Sequence, residues 1–183
     1  GGEDCVDSDV TIHPQALELC DGLDNDCNNQ LPADESDVDG DGYVECTIDN
    51  ALSAWDGAFI DGDDDCNDDD ANSYPGATEL CDGIDNSCDN SLAASELDTD
   101  GDGYVACDLD VAVGQWANGN VAISGGSDCE PTFGSIFPGA TELCDGLINE
   151  CSGQLPETEI DNDGDGYVEC SLDVSLASWA NGI

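Results

Sequence analysis

The chain contains 45 Asp and Glu residues and no Lys or Arg, so its formal net charge is −45 over 183 residues. A chain this anionic repels itself when it becomes compact. Acidic sequences are usually disordered, but 39% of this chain is hydrophobic and its acids recur at regular spacings instead of forming solvating blocks. A compact fold therefore needs cations from solution, and we expect these to be metal ions. We expect no nucleic-acid partner, because phosphates would be repelled.

Twelve cysteines fall into three groups that share one spacing. Each group reads C-x14-C-x6-C-x18-C with no insertion, a register that predicts three tandem repeats. The predicted calcium-binding repeats are 1–61, 62–124 and 125–183. So many cysteines indicate a secreted, oxidised protein with two disulfides in each repeat. Spacing alone leaves three pairings open within a repeat.

Each repeat contains a loop in which three aspartates stand two residues apart, followed by Gly-Tyr. Calcium takes about six to eight oxygen ligands, and its hand-type loops use carboxylates at positions 1, 3 and 5, a Gly at position 6 and a backbone carbonyl at position 7. A solvated acidic loop would need neither the Gly nor the strict alternation. We therefore predict a calcium site in each of these aspartate loops. The predicted ligands are Asp37, Asp39, Asp41 and Tyr43; Asp98, Asp100, Asp102 and Tyr104; and Asp161, Asp163, Asp165 and Tyr167.

Position 12 of the aspartate loops, where a calcium hand has Glu, is Ile48, Leu109 or Leu172. The aspartates at position 13 either close the site or cap the next segment, and the glutamates two residues before each loop are further candidate ligands. These residues are Asp49, Asp110 and Asp173, and Glu35, Glu96 and Glu159. No amphipathic helix precedes the loops, so the flanking fold is not that of a calcium hand.

A second acidic loop precedes the aspartate loop. In repeat 1 it follows D-x-D-x-N with Glu at position 12, and Asn29 occupies the turn position where Gly is usual, since Asn tolerates the left-handed conformation. The pattern is less complete in repeat 2 and breaks in repeat 3, where Ile148 stands at position 1. The predicted ligands are Asp24, Asp26, Asn28 and Glu35; Asp85, Asp89 and Glu96; and Glu159.

A third acidic cluster surrounds the first cysteine of each repeat, and further acids flank the second cysteine. The acids beside the second cysteine either complete this cluster or cap short turns, and ligation is the favoured role. The cluster contains Asp4, Asp7 and Asp9; Asp65, Asn67, Asp68 and Asp70; and Asp128 alone in repeat 3. The acids beside the second cysteine are Glu18, Glu79, Glu142, Asp21, Asp82 and Asp145.

The pattern D-C-x-D-x-D, then P-G-A-x-E-x-C-D-G-x-D-N-x-C and D-x-D-G-D-G-Y, resembles the tandem metal-binding repeats named after MopE. The resemblance covers nearly all of the chain, is closest at 65–104 and is poorest at 128–151. It implies calcium-loaded modules of secreted or surface microbial proteins with little regular secondary structure. It also implies the pairs Cys5–Cys27, Cys20–Cys46, Cys66–Cys88, Cys81–Cys107, Cys129–Cys151 and Cys144–Cys170. The aspartate loops are similar to thrombospondin type 3 repeats as well.

The copper linked with the name of that family is not expected here, because copper(II) favours imidazole ligands. The only histidine is His13, and we place Ser73 and Ile136 at its equivalent positions in the other repeats. We expect His13 to be an exposed loop residue.

A repeat of about 60 residues can bury only a small core, so disulfides and metal ions must replace one. We expect small irregular repeats, stabilised by disulfides and by several calcium ions each, stacked as an elongated solenoid-like rod. The apolar stretch after the fourth cysteine, which ends in Trp55, Trp116 or Trp179, predicts either a short strand or a helical turn. Each Trp packs either on its own repeat or on the next one.

So many sites fit a structural role better than a sensor, and no nucleophile–base motif indicates an enzyme. Placing Ile183 before Gly1 recreates a repeat junction. We therefore expect copies of the chain to associate head-to-tail, as an extracellular filament or surface fibre. The alternative is a calcium-rigidified spacer or binding module of a large surface adhesin. No apolar run is long enough for membrane insertion, and the absence of a starting Met and signal sequence predicts a mature form or a fragment.

Overall fold

The computed structural model of the chain describes residues 4–48, 55, 59–117 and 122–171. Within these residues, regular structure is limited to four short 3-10 turns and two isolated parallel bridges. The turns are η1 (Ala33–Glu35), η2 (Ala94–Glu96), η3 (Val113–Gln115) and η4 (Glu157–Glu159). The bridges pair Tyr43 with Gly62 and Tyr104 with Gly125. The expectation of irregular repeats with little secondary structure is confirmed for this part of the chain.

Side-chain carboxylates replace much of the missing backbone pairing. Many aspartates accept a hydrogen bond from the backbone N–H two residues ahead, which closes a tight turn; Asp21 does so with Leu23 at 3.1 Å, and Asp65 with Asn67 at 2.9 Å. Asp and Asn favour such turns because their short side chains reach the local backbone. The high aspartate content therefore dictates a chain of consecutive turns.

Two disulfides staple each repeat, and all twelve cysteines take part. The first and third cysteines pair across 22 residues, and the second and fourth pair across 26. This is the pairing that the resemblance implies. A disulfide typically contributes about 2–4 kcal/mol by restricting the unfolded chain, which is a large share of the stability available to a domain with so small a core.

The chain divides into two compact units. The first comprises Gly1–Glu79 and Ile84–Leu92, and the second comprises Leu80–Gly83 and Ala93–Ile183. No described helix has the length and apolar character needed to cross a membrane.

Each compact unit contains one small apolar core around a disulfide. In the first unit Cys20, Val44 and Ile60 are buried together, and Trp55 packs against them. In the second unit the core is formed by Cys81, Val105 and Ile123, with Trp116 packed against it. These tryptophans therefore pack on their own repeats. Trp179 lies outside the described residues.

The apolar stretch before Trp116 forms a helical turn, because η3 occupies Val113–Gln115. The helical alternative therefore holds in repeat 2. The corresponding stretches of the other repeats, 49–54 and 172–178, lie outside the described residues.

Successive repeats interlock within each unit. In the first unit, Gly62 N donates to Gly42 O at 3.3 Å and Asp65 N donates to Val44 O at 3.0 Å. The second unit has a similar pattern: Val105 N donates to Gly125 O at 3.1 Å and Asp128 N donates to Val105 O at 2.9 Å. The aspartate loop of one repeat thus lies against the segment around the first cysteine of the next repeat.

Aromatic stacking closes the same two junctions. The ring of Tyr43 stacks on Tyr74, with centroids 5.0 Å apart and an interplanar angle of 13°. Tyr104 stacks on Phe137 at 5.0 Å and 16°. An offset stack of this kind adds about 0.5–1.5 kcal/mol beyond the area that it buries.

The residues equivalent to His13 in repeats 2 and 3 are not the ones that the sequence predicted. The backbone N–H of His13 donates to Asn25 O at 2.9 Å, and Tyr74 and Phe137 make the same bond to Asn86 and Asn149, at 3.0 and 2.9 Å. The equivalents of His13 are therefore Tyr74 and Phe137, one residue beyond Ser73 and Ile136. Ser73 and Ile136 are buried and match Ile12 instead.

Candidate metal sites at the repeat junctions

The aspartate loop of repeat 1 folds around its own backbone N–H groups. Asp37 accepts hydrogen bonds from Gly40 N at 2.6 Å and Gly42 N at 3.2 Å. Asp39 and Asp41 each accept one backbone hydrogen bond through Oδ1, at 3.1 and 2.8 Å. Their Oδ2 atoms are buried and have no hydrogen-bond partner. Burying a carboxylate oxygen without a hydrogen-bond partner costs free energy. A cation bound beside these two Oδ2 atoms would offset that cost.

The acids around the first cysteine of repeat 2 complete this site. Asp65 is only 5% exposed, its Oδ1 is held by Asn67 N, and its Oδ2 is buried without a partner. Oxygens of Asp39, Asp65 and Asp68 lie within 4.8 Å of one another, and those of Asp37, Asp39 and Asp41 form an overlapping group. Val38 N also donates to Asp68 Oδ1 at 2.9 Å. Two clusters that the sequence predicts as separate sites therefore form one junction site.

The electrostatics of this junction site also favour a cation. Burial raises the pKa of Asp65, and the charges of Asp41 and Asp39 add to the rise, against a hydrogen bond from Asn67 N that lowers it. Burial likewise raises the pKa of Asp41. Both shifts mean that the negative charge is poorly stabilised by the protein itself, and a bound cation supplies what is missing.

The junction between repeats 2 and 3 has a different arrangement of carboxylates. Asp128 is 5% exposed. The Oδ2 atoms of Asp100, Asp102 and Asp128 are buried and have no hydrogen-bond partner. Pro131 stands where repeat 2 has Asp68, and Thr99 Oγ1 donates to its carbonyl oxygen. Burial raises the pKa of Asp128 and of Asp102. This site therefore has the same aspartate loop and buried Asp128, with Pro131 at the position of Asp68 and Glu130 at the position of Asn67.

The second acidic loop brings three carboxylates of repeat 1 together. Oxygens of Glu18, Asp24 and Asp26 lie within 4.8 Å of one another. Glu18 accepts hydrogen bonds from Asn25 N at 3.1 Å and Asp26 N at 2.9 Å. Glu18 therefore belongs to the second loop and not to the cluster around the first cysteine. Asn29 adopts φ +67°, the left-handed conformation that its turn position requires.

The repeat 2 version of the second loop has similar hydrogen bonding, with Ser87 at the position of Asp26 and Asp89 at the position of Asn28. Asp85 accepts from Asp89 N at 3.3 Å and Asn90 N at 2.6 Å, and Glu79 holds Asn86 N and Ser87 N. Asn28 and Asp89 each accept from the N–H two residues ahead, at 2.7 and 2.9 Å. In repeat 3, Glu142 accepts from Glu150 N at 2.8 Å.

The glutamates before the aspartate loops bind backbone N–H groups. Glu35, the last residue of η1, is 3% exposed and its Oε2 accepts hydrogen bonds from Asp21 N at 3.3 Å and Gly22 N at 2.8 Å. Glu96 and Glu159 bind the equivalent backbone N–H groups. Burial is the main cause that raises the pKa of Glu35 and of Glu96. These carboxylates hold the turn after the second cysteine, and their contribution to the metal sites stays a prediction.

Several other predicted ligands occupy turns. Asp110 Oδ2 accepts a hydrogen bond from Cys81 N at 2.8 Å, so this oxygen anchors the disulfide turn. Asp21 and Asp145 cap the residue two ahead, at 3.1 and 2.8 Å, and both are buried, as is Asp82. Asp9 and Asp70 accept from Thr11 and Asn72 in the same way. Asp49 and Asp173 lie outside the described residues.

The sequence did not lead us to predict the structural role of three buried asparagines. Asn25, Asn86 and Asn149 have no exposed surface. Asn25 Oδ1 accepts from Leu19 N at 2.7 Å, and Asn149 Oδ1 from Leu143 N at 2.9 Å. Asn25 and Asn149 thus tie the residue before the second cysteine to the second loop, and Asn86 Nδ2 donates to Ser73 Oγ at 3.3 Å. Their occurrence at the same place in all three repeats was the available signal.

The donor atoms determine which class of metal fits. The junction site offers carboxylate oxygens, which suit hard cations. All twelve cysteines are in disulfides, so none offers a thiolate. The ring of His13 is exposed, and its Nδ1 lies 3.3 Å from Pro14 O. Copper, which prefers imidazole and sulfur ligands, does not fit these residues.

Comparison with known proteins gives one family. The family described as "Putative metal-binding motif", whose name refers to copper binding and MopE, matches residues 4–31, 65–92 and 128–157. No curated protein and no solved structure matches the chain. The matched stretches include the cluster around the first cysteine and the second loop, and the aspartate loops lie outside them. The model of this metal-binding motif therefore matches once in each of the three repeats.

Proposed function

We propose that the chain is a structural extracellular protein whose successive repeats are held together by calcium ions. The observation that carries this proposal is the junction site, where Asp39 of repeat 1 and Asp65 and Asp68 of repeat 2 bring oxygens within 4.8 Å. The Oδ2 atoms of Asp39 and Asp65 are buried and unpartnered. A cation at this point binds residues from both repeats and so links them directly.

Calcium is the cation that best suits such a site. It accepts about six to eight oxygens in flexible geometry, whereas magnesium demands near-ideal octahedral geometry and retains several waters. Clusters of three or more carboxylates offer many oxygens in irregular geometry, which suits calcium. The net charge of −45 with no Lys or Arg supports binding of several ions per repeat, because no side chain offers a counter-charge.

A filament or surface fibre is the form of assembly that we favour. The junction is built twice within the chain from equivalent residues, so the same contact can continue between copies placed head-to-tail. Secretion is supported by the six disulfides, which persist in oxidising surroundings. A rigid spacer within a surface adhesin is the alternative, and it uses the same junctions. The proposed role is structural, with no catalytic step.

The test compares two variants that lose the same charge in one segment. Asp65→Asn removes a buried carboxylate from the junction site, and Asp69→Asn removes an exposed one four residues further along. We expect the wild-type protein to bind several calcium ions per chain in isothermal titration calorimetry. Asp65→Asn should raise the dissociation constant for calcium at the junction site at least about tenfold, the order expected from losing one charged ligand.

Asp69→Asn should bind calcium as the wild type does. Equal calcium isotherms for the two variants would contradict a junction site at Asp65. Titration with copper(II) and magnesium under the same conditions distinguishes the metals: tighter binding of either one than of calcium would overturn the assignment.

A further inference from the structure

The aspartate loop of repeat 3 is folded like the other two. Asp161 accepts hydrogen bonds from Gly164 N at 2.7 Å and Gly166 N at 2.9 Å, as Asp37 does from its own two glycines. Tyr167 N donates to Asp165 Oδ1 at 2.9 Å. The internal geometry of a ligand loop is therefore complete.

The surroundings of this loop are different. Tyr167 is 79% exposed, whereas Tyr43 and Tyr104 are half-buried in their stacks. Val168 is half-buried, while its equivalents Val44 and Val105 have no exposed surface. Asp163 and Asp165 are also exposed. In the first two repeats, Tyr43 and Tyr104 stack on a ring of the next repeat, and Val44 and Val105 pack against Ile60 and Ile123.

A pocket lies over this exposed loop. Its volume is about 240 Å³, and its walls combine Asp163 and Asp165 with the apolar groups of Ile160, Tyr167 and Val168. At the internal junctions the equivalent carboxylates meet Asp65 or Asp128, and the equivalent tyrosines meet an aromatic ring. The pocket thus has the chemistry of half a junction.

The start of repeat 1 carries the complementary half. Asp4 and Asp7 are exposed, although their equivalents Asp65 and Asp68 are only 5% and 9% exposed. His13 is also exposed and offers a planar ring at the position of Tyr74.

A glycine is needed beneath the tyrosine ring, and the sequence provides one. A Cβ on Gly62 would lie 2.4 Å from Tyr43 Cε1, and one on Gly125 would lie 2.6 Å from Tyr104 Cε1. Counting back from the first cysteine, the residue at this position in repeat 1 is Gly1. The sequence therefore has a glycine at the corresponding position before the first cysteine of repeat 1.

We propose that the repeat 3 loop and the start of repeat 1 in a second copy of the chain form one shared calcium site. Asp163 of one copy takes the place of Asp39, Asp4 and Asp7 of the second copy take those of Asp65 and Asp68, and Tyr167 stacks on His13. This proposal rests on the proposed function, since it uses the same ion. Both surfaces are acidic, so they repel one another until the cation is bound, and association is strictly calcium-dependent.

Analytical ultracentrifugation of the whole chain tests the proposal. In calcium the weight-average mass should rise with protein concentration beyond that of a dimer, and in excess chelator it should remain that of one chain. Asp163→Asn with Asp165→Asn removes one face, and Asp4→Asn with Asp7→Asn removes the other. Each double variant alone should remain monomeric.

Mixing the two double variants provides the decisive measurement. Each retains one intact face, so an equimolar mixture should form dimers and nothing larger. Tyr167→Ala should weaken association about tenfold through loss of the stack. The control Glu157→Gln removes an exposed charge of repeat 3 outside the pocket and should associate as the wild type does.

Two failures can be told apart by a calcium isotherm on the same samples. A chain that binds calcium at its internal junctions and stays monomeric would overturn the shared site alone. A chain that binds no calcium would overturn the proposed function. Double variants that assemble as fully as the wild type would show that association proceeds through other acids and would also overturn the shared site.

Discussion

The carboxylates of Glu96 and Asp100 belong to one repeat and have opposite surroundings. Glu96 is buried and accepts backbone hydrogen bonds from Asp82, Gly83 and Ala93. Asp100 accepts one from Asp102 N and retains a buried oxygen with no partner. Acids such as Glu96 bind the backbone where regular secondary structure is absent. Acids such as Asp100 keep an oxygen that a cation could bind. The distinction depends on which N–H groups the fold brings near.

Replacing Glu96 by Gln should therefore destabilise the chain without removing an ion. The amide NH2 group cannot accept the hydrogen bonds that one carboxylate oxygen receives, so a buried backbone N–H is left unpaired, at a cost of about 1–3 kcal/mol. Urea unfolding in saturating calcium should shift to a lower midpoint, and the number of calcium ions bound per chain should be unchanged. A variant with one ion fewer and an unchanged midpoint would identify Glu96 as a ligand.

At the scale of elements, the repeats are built from turns that are shorter than any regular helix or strand. Three of the four 3-10 turns end on the glutamate that binds the disulfide turn, namely η1, η2 and η4. The bridging pairs Tyr43–Gly62 and Tyr104–Gly125 are single contacts. An aromatic ring lying flat on a glycine is the recurring contact between neighbouring repeats.

Replacing Gly125 by Ala should disrupt this contact. The added Cβ would approach Tyr104 Cε1 to 2.6 Å, so the ring must leave its stack on Phe137. We expect a loss of about 1–3 kcal/mol in the free energy of unfolding, together with a changed near-ultraviolet circular dichroism signal from the displaced ring.

Gly114 provides the matched control in the same compact unit. A Cβ there meets nothing within 4 Å, so Gly114→Ala should leave the free energy of unfolding within about 0.5 kcal/mol of the wild type. Equal effects of the two substitutions would mean that the tyrosine stack carries no stability.

Local features of this chain were readable from its sequence, and the junctions were not. The aspartate loop was predictable because its ligands and glycines lie within seven residues, and the turn at Asn29 followed from one tolerant residue type. The link between Asp39 and Asp65 spans 26 positions of irregular chain, and no periodicity reports such a contact. The hydrogen bonds of Glu35 were not predictable because its partners, the N–H groups of Asp21 and Gly22, are positioned only once the disulfide turn has folded.

At the scale of the whole molecule, the net charge of −45 opposes every one of these contacts. The disulfides hold the chain together covalently, but they add no positive charge. We therefore expect bound cations to favour the compact state, and we expect screening by salt to be a partial substitute, because the Debye length falls from about 10 Å at 0.1 M to about 3 Å at 1 M ionic strength.

Calcium removal should expand the chain in a salt-dependent manner. Small-angle X-ray scattering in chelator at low ionic strength should give a larger radius of gyration than in calcium, and about 1 M sodium chloride should reverse part of that increase. Magnesium at equal ionic strength should restore less compaction than calcium. A radius that is unaffected by chelator at low salt would mean that the disulfides alone determine the fold.

The interlocking of each aspartate loop with the following repeat has an arithmetic consequence. An array of n such repeats contains n − 1 internal junctions. Its free energy of unfolding should therefore grow, with every added repeat, by the intrinsic stability of that repeat and the stability of one more junction. Such an array behaves as a one-dimensional lattice of coupled units. Lengthening it by gene duplication would raise its cooperativity without any new side chain, since every added unit arrives with both halves of the joint already encoded.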